Sequence, residues 1–228
     1  MRVPPLTKLK RGLTALAVNA MPYFPLPAEW YRRLLVADSE KRYASGRWDY
    51  QWEVAEAHRY SLIVGCADYY TPTSRRVLDV GCGDGILQRR IAYGEYVGVD
   101  MNPEAIRRAR AREDARTRFH CAPAGDFTPE GRFDVVVFNE SLYYIPDPLN
   151  VLAHYRRFLA EDGILVLCMF QTNLARRIWR HIEDTDLVEL TAVKVSNEWG
   201  FASRVKALAN RAIQPPGHTE DQAASARQ

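Results

Sequence analysis

The sequence has few cysteines, and they show no pairing pattern. Four cysteines occur among 228 residues, at widely separated positions: Cys66, Cys82, Cys121 and Cys168. None belongs to a Cys-x-x-Cys pair or to a cysteine–histidine cluster, so the spacing of zinc ligands and of a disulfide framework is missing. We therefore predict a protein of the reducing cytoplasm without a metal site.

Long apolar runs are also missing. The longest apolar stretch near the start, Leu13 to Met21, is too short to cross a bilayer and contains Asn19. Prolines follow it where a signal peptide would have small residues. The sequence thus predicts no membrane span.

A strong charge imbalance is absent as well. The net charge is +3, which gives no support for nucleic-acid binding. The first twelve residues nevertheless carry cations and no acid: Arg2, Lys8, Lys10 and Arg11. This segment could make weak peripheral contact with an anionic surface, but a solvated tail is the favoured interpretation.

Three alternating glycines are the most informative feature that is present. The apolar run Arg76–Val80 predicts a buried strand, and Gly81, Gly83 and Gly85 follow it, with a helix expected from about residue 85 to 92. Glycines let a backbone touch a ligand, and the N–H groups of a new helix act as donors. A second predicted strand ends in Asp100, where a carboxylate can hold ribose hydroxyls. This pattern predicts an adenosine-containing cofactor.

The glycine spacing argues against a dinucleotide. In the Gly-x-Gly-x-x-Gly fingerprint the third glycine would fall at Ile86. Asp79 precedes the loop, and a carboxylate there would repel a pyrophosphate. The hypothesis of an NAD-dependent oxidoreductase is weakened further because the sequence has no Tyr-x-x-x-Lys pair. A strand, turn and helix without any ligand remains the alternative.

The pattern Asp79-x-Gly81-x-Gly83-x-Gly85 resembles the first motif of class I S-adenosylmethionine-dependent methyltransferases. The resemblance covers roughly residues 40 to 210 and implies S-adenosyl-L-methionine as the cofactor. It also implies an α/β fold with a Rossmann-like, seven-stranded, mostly parallel sheet. Helices would cover both faces of this sheet, and its C-terminal strands would form an antiparallel hairpin.

The alternation of apolar strands with amphipathic helices fits this fold. Strands are expected at 76–80, 96–100, 117–122, 133–139, 163–169, 187–196 and 203–208. Helices are expected at 29–36, 53–70, 85–92, from Asn102 onward, 148–160 and 173–183. Residues 1–40 are assigned to an N-terminal extension, 41–212 to the methyltransferase domain with its lid, and 213–228 to a disordered tail. Four arginines of the helix after Asn102 are expected to form a solvated face.

The resemblance also implies which residues hold the cofactor. Asp79, Gly81, Gly83 and Gly85 would line its methionine half, and Asp100 would bond both ribose hydroxyls. Asp126 would accept a hydrogen bond from the adenine amino group with Phe127 beside the ring, although Asp126 could equally be a turn residue. Three further residues at these strand ends belong to the predicted cofactor site: Cys82, Met101 and Asn139.

The segment 45–50 resembles the lid that covers the cofactor in such enzymes. Tyr43 or Arg47 would bind the methionine carboxylate, for which an arginine fork is well suited. Trp48 would shield the sulfonium or stack on it. The equally favoured alternative is that Trp48 only packs the lid onto the sheet.

Residues after the fourth predicted strand are candidates for catalysis. Glu140 is the first choice for a general base, and Tyr143 and Tyr144 would orient the acceptor. The run Asn139 to Tyr144 resembles bacterial methyltransferases that act on sugars and chito-oligosaccharides. The expected acceptor is a small molecule that is methylated on O or N, and this narrower resemblance implies that it could be a sugar or a glycosylated metabolite.

Two other classes remain to be compared with this prediction. A non-catalytic scaffold would not need Asp79, Asp100 and Asp126 together, and a nucleic-acid methyltransferase would need an Asn/Asp-Pro-Pro-aromatic motif that is missing. The sequence leaves the oligomeric state and the acceptor itself undetermined.

Overall fold

A computed structural model describes residues 38–196 and 202–213. The expected helix at 29–36, the turn at 197–200 and the tail after residue 213 lie outside these ranges. The described strands are β1 (Arg76–Val80), β2 (Glu95–Asp100), β3 (Thr117–Cys121), β4 (Phe133–Asn139), β5 (Leu159–Phe170), β6 (Val188–Ser196) and β7 (Ala202–Ala209). The described helices are α1 (Ala57–Tyr70), α2 (Pro103–Arg110), α3 (Pro148–Arg156) and α4 (Asn173–Glu183).

All seven strands belong to one sheet in the order β3-β2-β1-β4-β5-β7-β6. The first five strands run parallel, whereas β7 lies antiparallel between β5 and β6. The predicted mostly parallel sheet with an antiparallel C-terminal hairpin is confirmed. The strand order reverses between β1 and β4, and ligands of such sheets bind outside the carboxyl ends at this point.

Two helices cover each face of the sheet. Successive strand residues point to opposite faces, so Val77 packs with Ile63 of α1 and Ile106 of α2. Leu78 packs with Leu152 of α3 and Trp179 of α4 on the other face. The prediction of helices on both faces is therefore confirmed.

The expected start of α2 is confirmed in atomic detail. The Asn102 side-chain oxygen accepts a hydrogen bond from the backbone N–H of Ala105 at 2.9 Å, and Pro103 begins the helix. This cap satisfies one of the backbone donors that a helix start leaves without a partner.

Three expected helix boundaries are wrong. The helix at 85–92 is only a 3-10 turn, Leu87–Arg89, because Gly85 has a left-handed φ of 81° and β2 begins at Glu95. The helix expected at 53–70 starts at Ala57, and Val54 is 90% exposed in the turn before it. The helix expected to reach residue 160 ends at Arg156 because β5 starts four residues before Gly163.

The arginines of the α2 region do not form a solvated face. Arg108 donates to the backbone carbonyl of Tyr43 at 2.5 Å, and Arg112 donates to that of Asp84 at 2.7 Å. These bonds tie α2 to residues 38–56 and to the glycine loop. Arg107 and Arg110 are exposed, as expected, and Arg107 pairs with Glu104.

No helix within residues 38–196 and 202–213 is both long and apolar enough to cross a membrane.

Candidate active site

A cavity of about 1140 Å³ lies at the carboxyl ends of the central strands. Its wall comes from the ends of β1, β2 and β4, from residues 38–60, and from the loops after β3, β4 and β5. Pockets for one small ligand typically enclose about 300–1,000 Å³. This cavity therefore has room for two molecules side by side.

The glycine loop after β1 forms one side of the cavity. Gly81 has φ 80°, and a Cβ there would lie 2.3 Å from the Cβ of Ser141. Gly83 has φ 57°, and a Cβ there would lie 2.7 Å from the hydroxyl of Tyr43. Both positions require glycine, because any side chain would meet strain and collision. Cys82 between them is buried and also lines the cavity.

Asp100 closes the glycine loop from the end of β2. Its carboxylate accepts from the backbone N–H of Gly83 at 2.9 Å and from that of Asn102 at 2.8 Å. Burial raises the pKa of this carboxyl group. Each carboxylate oxygen keeps a second lone pair, so Asp100 can still accept two hydroxyl donors from a ligand. The neighbouring residue Met101 lines the cavity too.

Two buried oxygen atoms beside the loop lack partners among the described residues. Asp79 is 2% exposed, and Tyr96 donates to its Oδ2 at 2.6 Å, but its Oδ1 accepts no hydrogen bond. Asn139 Oδ1 is also buried and accepts no hydrogen bond from the described residues. Burial raises the pKa of Asp79 to about 7. Unpaired buried acceptors are costly, and both of these residues line the cavity, where a ligand could supply donors.

A row of aromatic rings covers the cavity from the lid. Tyr43 stacks on Trp48 with ring centroids 6.1 Å apart, and Trp48 stacks on Tyr50 at 6.3 Å. The indole N–H of Trp48 is buried without a partner among the described residues. Arg47 is exposed at the rim and lines the cavity. The structure thus brings the three lid residues predicted for the cofactor, Tyr43, Arg47 and Trp48, to the cavity wall.

Polar contacts hold the lid against the glycine loop and α2. Trp52 donates through its indole N–H to Asp84 Oδ2 at 3.0 Å. Arg108 bonds to Asp49 Oδ1 at 3.2 Å. The lid is therefore fixed by side chains of residues that follow β1 and β2.

Glu140 has the most unusual backbone near the cavity. Among the described residues it is the only non-glycine residue with φ in the left-handed region, at 56°. Its Oε2 accepts from the hydroxyl of Tyr143 and from the backbone N–H of Phe170 at 3.1 Å. Its Oε1 lies 3.4 Å from Cys168 Sγ and 3.5 Å from Ser203 Oγ. Such strain concentrates at functional sites.

The chemical state of Glu140 follows from these surroundings. Burial raises the pKa of its carboxyl group, while the nearby Arg59 guanidinium and the Tyr143 hydroxyl counteract this effect. The Tyr143 and Tyr144 rings lie 4.7 Å apart, and burial raises both of their pKa values. All three predicted catalytic residues therefore line the cavity together.

A buried ion pair near Glu140 was not predicted from the sequence. Arg59 and Glu56 are each 2% exposed, with 3.7 Å between Arg59 Nη1 and Glu56 Oε2. Arg59 also donates to the hydroxyl of Tyr60 at 3.2 Å. A signal was available, because Arg59 precedes Ile63 by four residues and so shares the buried face of α1.

Asp126 and Phe127 do not reach the cavity wall. The wall after β3 consists of residues 122–125, and the N–H of Asp126 closes a turn onto the Pro123 carbonyl at 3.0 Å. Phe127 packs against His120 instead, with ring centroids 4.8 Å apart. The structure therefore does not bring these two residues together with the rest of the predicted cofactor site.

Comparison with known proteins places this geometry among methyltransferases. The family model described as a methyltransferase domain matches residues 52–209. Trans-aconitate 2-methyltransferase of Methylobacterium radiotolerans is 32% identical over 141 residues, covering 60% of this chain and 50% of that protein. A ubiquinone biosynthesis O-methyltransferase of Aromatoleum aromaticum is 37% identical over 96 residues, covering 39% of this chain and 41% of that protein. The chain spans about half the length of the curated relatives it matches.

Solved structures share the fold. The 1,6-didemethyltoxoflavin-N1-methyltransferase of Burkholderia thailandensis, with bound S-adenosylhomocysteine, aligns with a TM-score of 0.66 at 20% identity over 81% of this chain and 91% of that chain. The N-methyltransferase NodS of Bradyrhizobium japonicum, also in complex with S-adenosylhomocysteine, aligns with a TM-score of 0.62 at 19% identity over 72% of this chain and 92% of that chain.

Proposed function

The chain belongs to the methyltransferase domain family, the class I S-adenosylmethionine-dependent methyltransferases, and from this premise we propose that it methylates an O or N atom of a small molecule. The observation that carries the proposal is the pair of unpartnered buried oxygens, Asp79 Oδ1 and Asn139 Oδ1, beside the glycine loop. They are acceptors in the place where a cationic cofactor would lie.

The glycine side of the cavity, which is lined by Asp79, Gly81, Gly83, Asp100 and Asn139, fits the chemistry of S-adenosylmethionine. Its ammonium offers donors for the free oxygens of Asp79 and Asn139, and its sulfonium adds positive charge that suits buried acids. Gly81 and Gly83 leave the backbone open to close approach. Asp100 would accept from the two ribose hydroxyls with lone pairs that the Gly83 and Asn102 amides leave available.

The adenine end of the cofactor would be held by fewer side chains. Met101 and residues 122–125 line the wall there, so adenine would be bound mainly by apolar contact and backbone groups. Asp126 and Phe127 remain predictions for the adenine, and their place outside the wall weighs against them.

The lid residues complete the cofactor side. Arg47 at the rim would meet the methionine carboxylate, and the buried Tyr43 ring and the half-buried Trp48 ring would exclude water from the sulfonium. Water exclusion strengthens the electrostatic interactions inside such a site.

Methyl transfer demands little from the protein beyond positioning. The bound cofactor supplies a methyl group that is already activated by the sulfonium. Tyr144 and Tyr143 would orient the acceptor, and Glu140 would receive its proton directly or through Tyr143, which hydrogen-bonds to it. A sugar or a glycosylated metabolite is the proposed acceptor class, supported by the likeness of Asn139–Tyr144 to sugar-directed enzymes and by the size of the cavity.

Calorimetry tests the cofactor half of this proposal. The protein is titrated in parallel with S-adenosylmethionine, S-adenosylhomocysteine and NAD. We expect micromolar binding of both adenosyl ligands and none of NAD, and loss of most of that affinity in Asp79→Asn, which removes a charge at an unpartnered acceptor. Binding of NAD alone would overturn the proposal. Release of S-adenosylhomocysteine in an acceptor screen then separates an enzyme from a binding scaffold.

A further inference from the structure

The cavity is acidic although the chain as a whole is basic. The net charge of the chain is +3, yet the described residues that line the cavity include eight carboxylates and four guanidinium groups. With all of these groups ionised, the lining carries a formal charge of −4. A cleft lined by one sign of charge concentrates ligands of the opposite sign.

The cofactor compensates only part of this charge. S-adenosylmethionine carries one carboxylate, one ammonium and one sulfonium, so it brings a net charge of +1. Arg108 pairs with Asp49 from outside the lining, so two negative charges of the lining remain when the cofactor is bound. An acceptor with its own carboxylate or phosphate would add to an existing excess of negative charge.

The buried guanidinium of Arg59 does not change this charge balance. Arg59 lies on the acceptor side of the cavity, the part that is lined by Glu56, Arg59, Glu140, Tyr143 and Tyr144. Arg59 lies 3.7 Å from the Glu56 carboxylate and also interacts electrostatically with Glu140. Its positive charge is thus already shared between two buried acids. Its Nε–H, which has no partner among the described residues, can still donate one hydrogen bond to a neutral oxygen such as a hydroxyl, an ether or an amide.

Aromatic rings add a second attraction for cations on this side. Tyr143 and Tyr144 lie together beside Glu140, and Phe170 and Tyr50 also line the cavity. The faces of aromatic rings attract ammonium groups within about 6 Å.

We propose that the acceptor is an amine that carries no carboxylate or phosphate, and that nitrogen is the atom methylated. This inference rests on the proposed function and narrows it. The ammonium of the incoming acceptor passes one proton to the carboxylate of Glu140, which leaves a neutral amine. The nitrogen lone pair then forms the N–C bond while the S–C bond breaks and its electron pair remains on sulfur. The products are a methylated ammonium and neutral S-adenosylhomocysteine thioether.

Three probes that share a phenethyl group and differ in charge test the proposal. Phenethylamine, phenethyl alcohol and hydrocinnamate are titrated into protein saturated with S-adenosylhomocysteine, at low and at physiological ionic strength. We expect phenethylamine to bind at least about tenfold more tightly than hydrocinnamate, a factor that corresponds to one favourable charge interaction in a partly screened site. Salt should reduce this preference.

Two results would overturn the proposal: equal or tighter binding of hydrocinnamate, or binding of no probe. Saturation with S-adenosylhomocysteine is measured first in the same experiment. If that titration succeeds and the amine preference is missing, the charge inference fails while the proposed function stands. If S-adenosylhomocysteine itself does not bind, the proposed function fails.

Variants that remove a negative charge from the cavity lining test whether this charge causes the preference for the amine. Glu56→Gln should reduce the preference for the amine roughly tenfold, since it removes one buried negative charge. Because Glu56 supports Arg59, its variant could lose stability, so Glu53→Gln serves as a second variant. Glu53 is exposed in the cavity lining, and its loss should lower the preference about twofold. Asp162→Asn is the matched control outside the cavity, where the carboxylate pairs with Arg211, and it should leave the preference unchanged.

Discussion

The glycine side of the cavity consists of strand ends and backbone amides, whereas the acceptor side consists of side chains from α1, the lid and two loops. On the glycine side, parallel pairing of β1 with β2 places Val80 opposite Val99 and so brings Gly81 next to Asp100. On the acceptor side, Arg59, which pairs with Glu56, comes close enough to interact with Glu140 only through the packing of α1 on the sheet.

This difference explains why one side is far less tolerant of change. Backbone groups in a sheet cannot shift without disturbing the strand pairs, so a ligand held there meets a fixed surface. Side chains on turns and helix ends can be replaced without moving the sheet. We therefore expect substitutions on the glycine side to affect cofactor binding and those on the acceptor side to affect turnover and acceptor choice.

Gly81→Ala should cause the largest effect. The new Cβ would meet Ser141 at 2.3 Å in a left-handed conformation, and the combined strain and collision should weaken S-adenosylhomocysteine binding roughly a thousandfold. The matched control is Gly65→Ala in α1, where no atom lies within 4 Å of the added Cβ. It should preserve binding and slightly stabilise the helix. Calorimetry and thermal denaturation measure both variants, and wild-type affinity in Gly81→Ala would contradict the placement of the cofactor.

Asp100→Ala should have the next largest effect on the same affinity. It removes charge-assisted hydrogen bonds of about 1.5–3 kcal/mol to the ligand and leaves the amides of Gly83 and Asn102 without their acceptor. Dissociation constants for S-adenosylhomocysteine are compared with those of Asp162→Asn. An unchanged constant in Asp100→Ala would refute the ribose assignment.

Glu140→Gln should separate the two sides of the cavity. We expect turnover to fall roughly tenfold because the glutamine cannot accept the proton. The affinity for S-adenosylhomocysteine should stay within about twofold of wild type, since Glu140 lies on the acceptor side of the cavity. Tyr143→Phe removes the hydroxyl that donates to Glu140. If both act in one proton path, the double variant should be no slower than Glu140→Gln alone. Full activity of Glu140→Gln would exclude Glu140 as the base.

The pH dependence of the free energy of unfolding should report the protonation of Asp79, with no direct effect on turnover. In the folded protein Asp79 keeps its proton up to about pH 7, whereas an unfolded aspartate loses it near pH 4. The folded state therefore binds more protons in this window, and its free energy of unfolding falls as the pH rises through it. Urea denaturation of wild type should show a fall of up to about 4 kcal/mol beyond that of Asp79→Asn, because each unit of pKa difference corresponds to about 1.4 kcal/mol. Parallel curves for the two proteins would show that Asp79 does not change its charge in this range.

Local patterns predicted most of the sheet and the glycine side. The bounds of β1 and β4 agree with the sequence prediction to the residue, because a central parallel strand is buried on both faces and so appears in the sequence as a short apolar run. The helix expected after the glycine loop was wrong because Gly85 takes a left-handed φ, which a residue pattern does not reveal. The positions of Asp126 and Phe127 depend on a turn of only a few residues, and the resemblance alone could not fix its course.

The sequence by itself determined the α/β architecture and the glycine loop with its two acids. These features follow from short-range rules: the strand period, the helix caps and the conformations that only glycine accepts without strain. The tertiary structure alone decided that Arg59 would interact with Glu140, about eighty residues later in the chain. It also decided that the cavity would be acidic in a basic protein, because charge in a site depends on which distant segments the packing of helices on a sheet brings together.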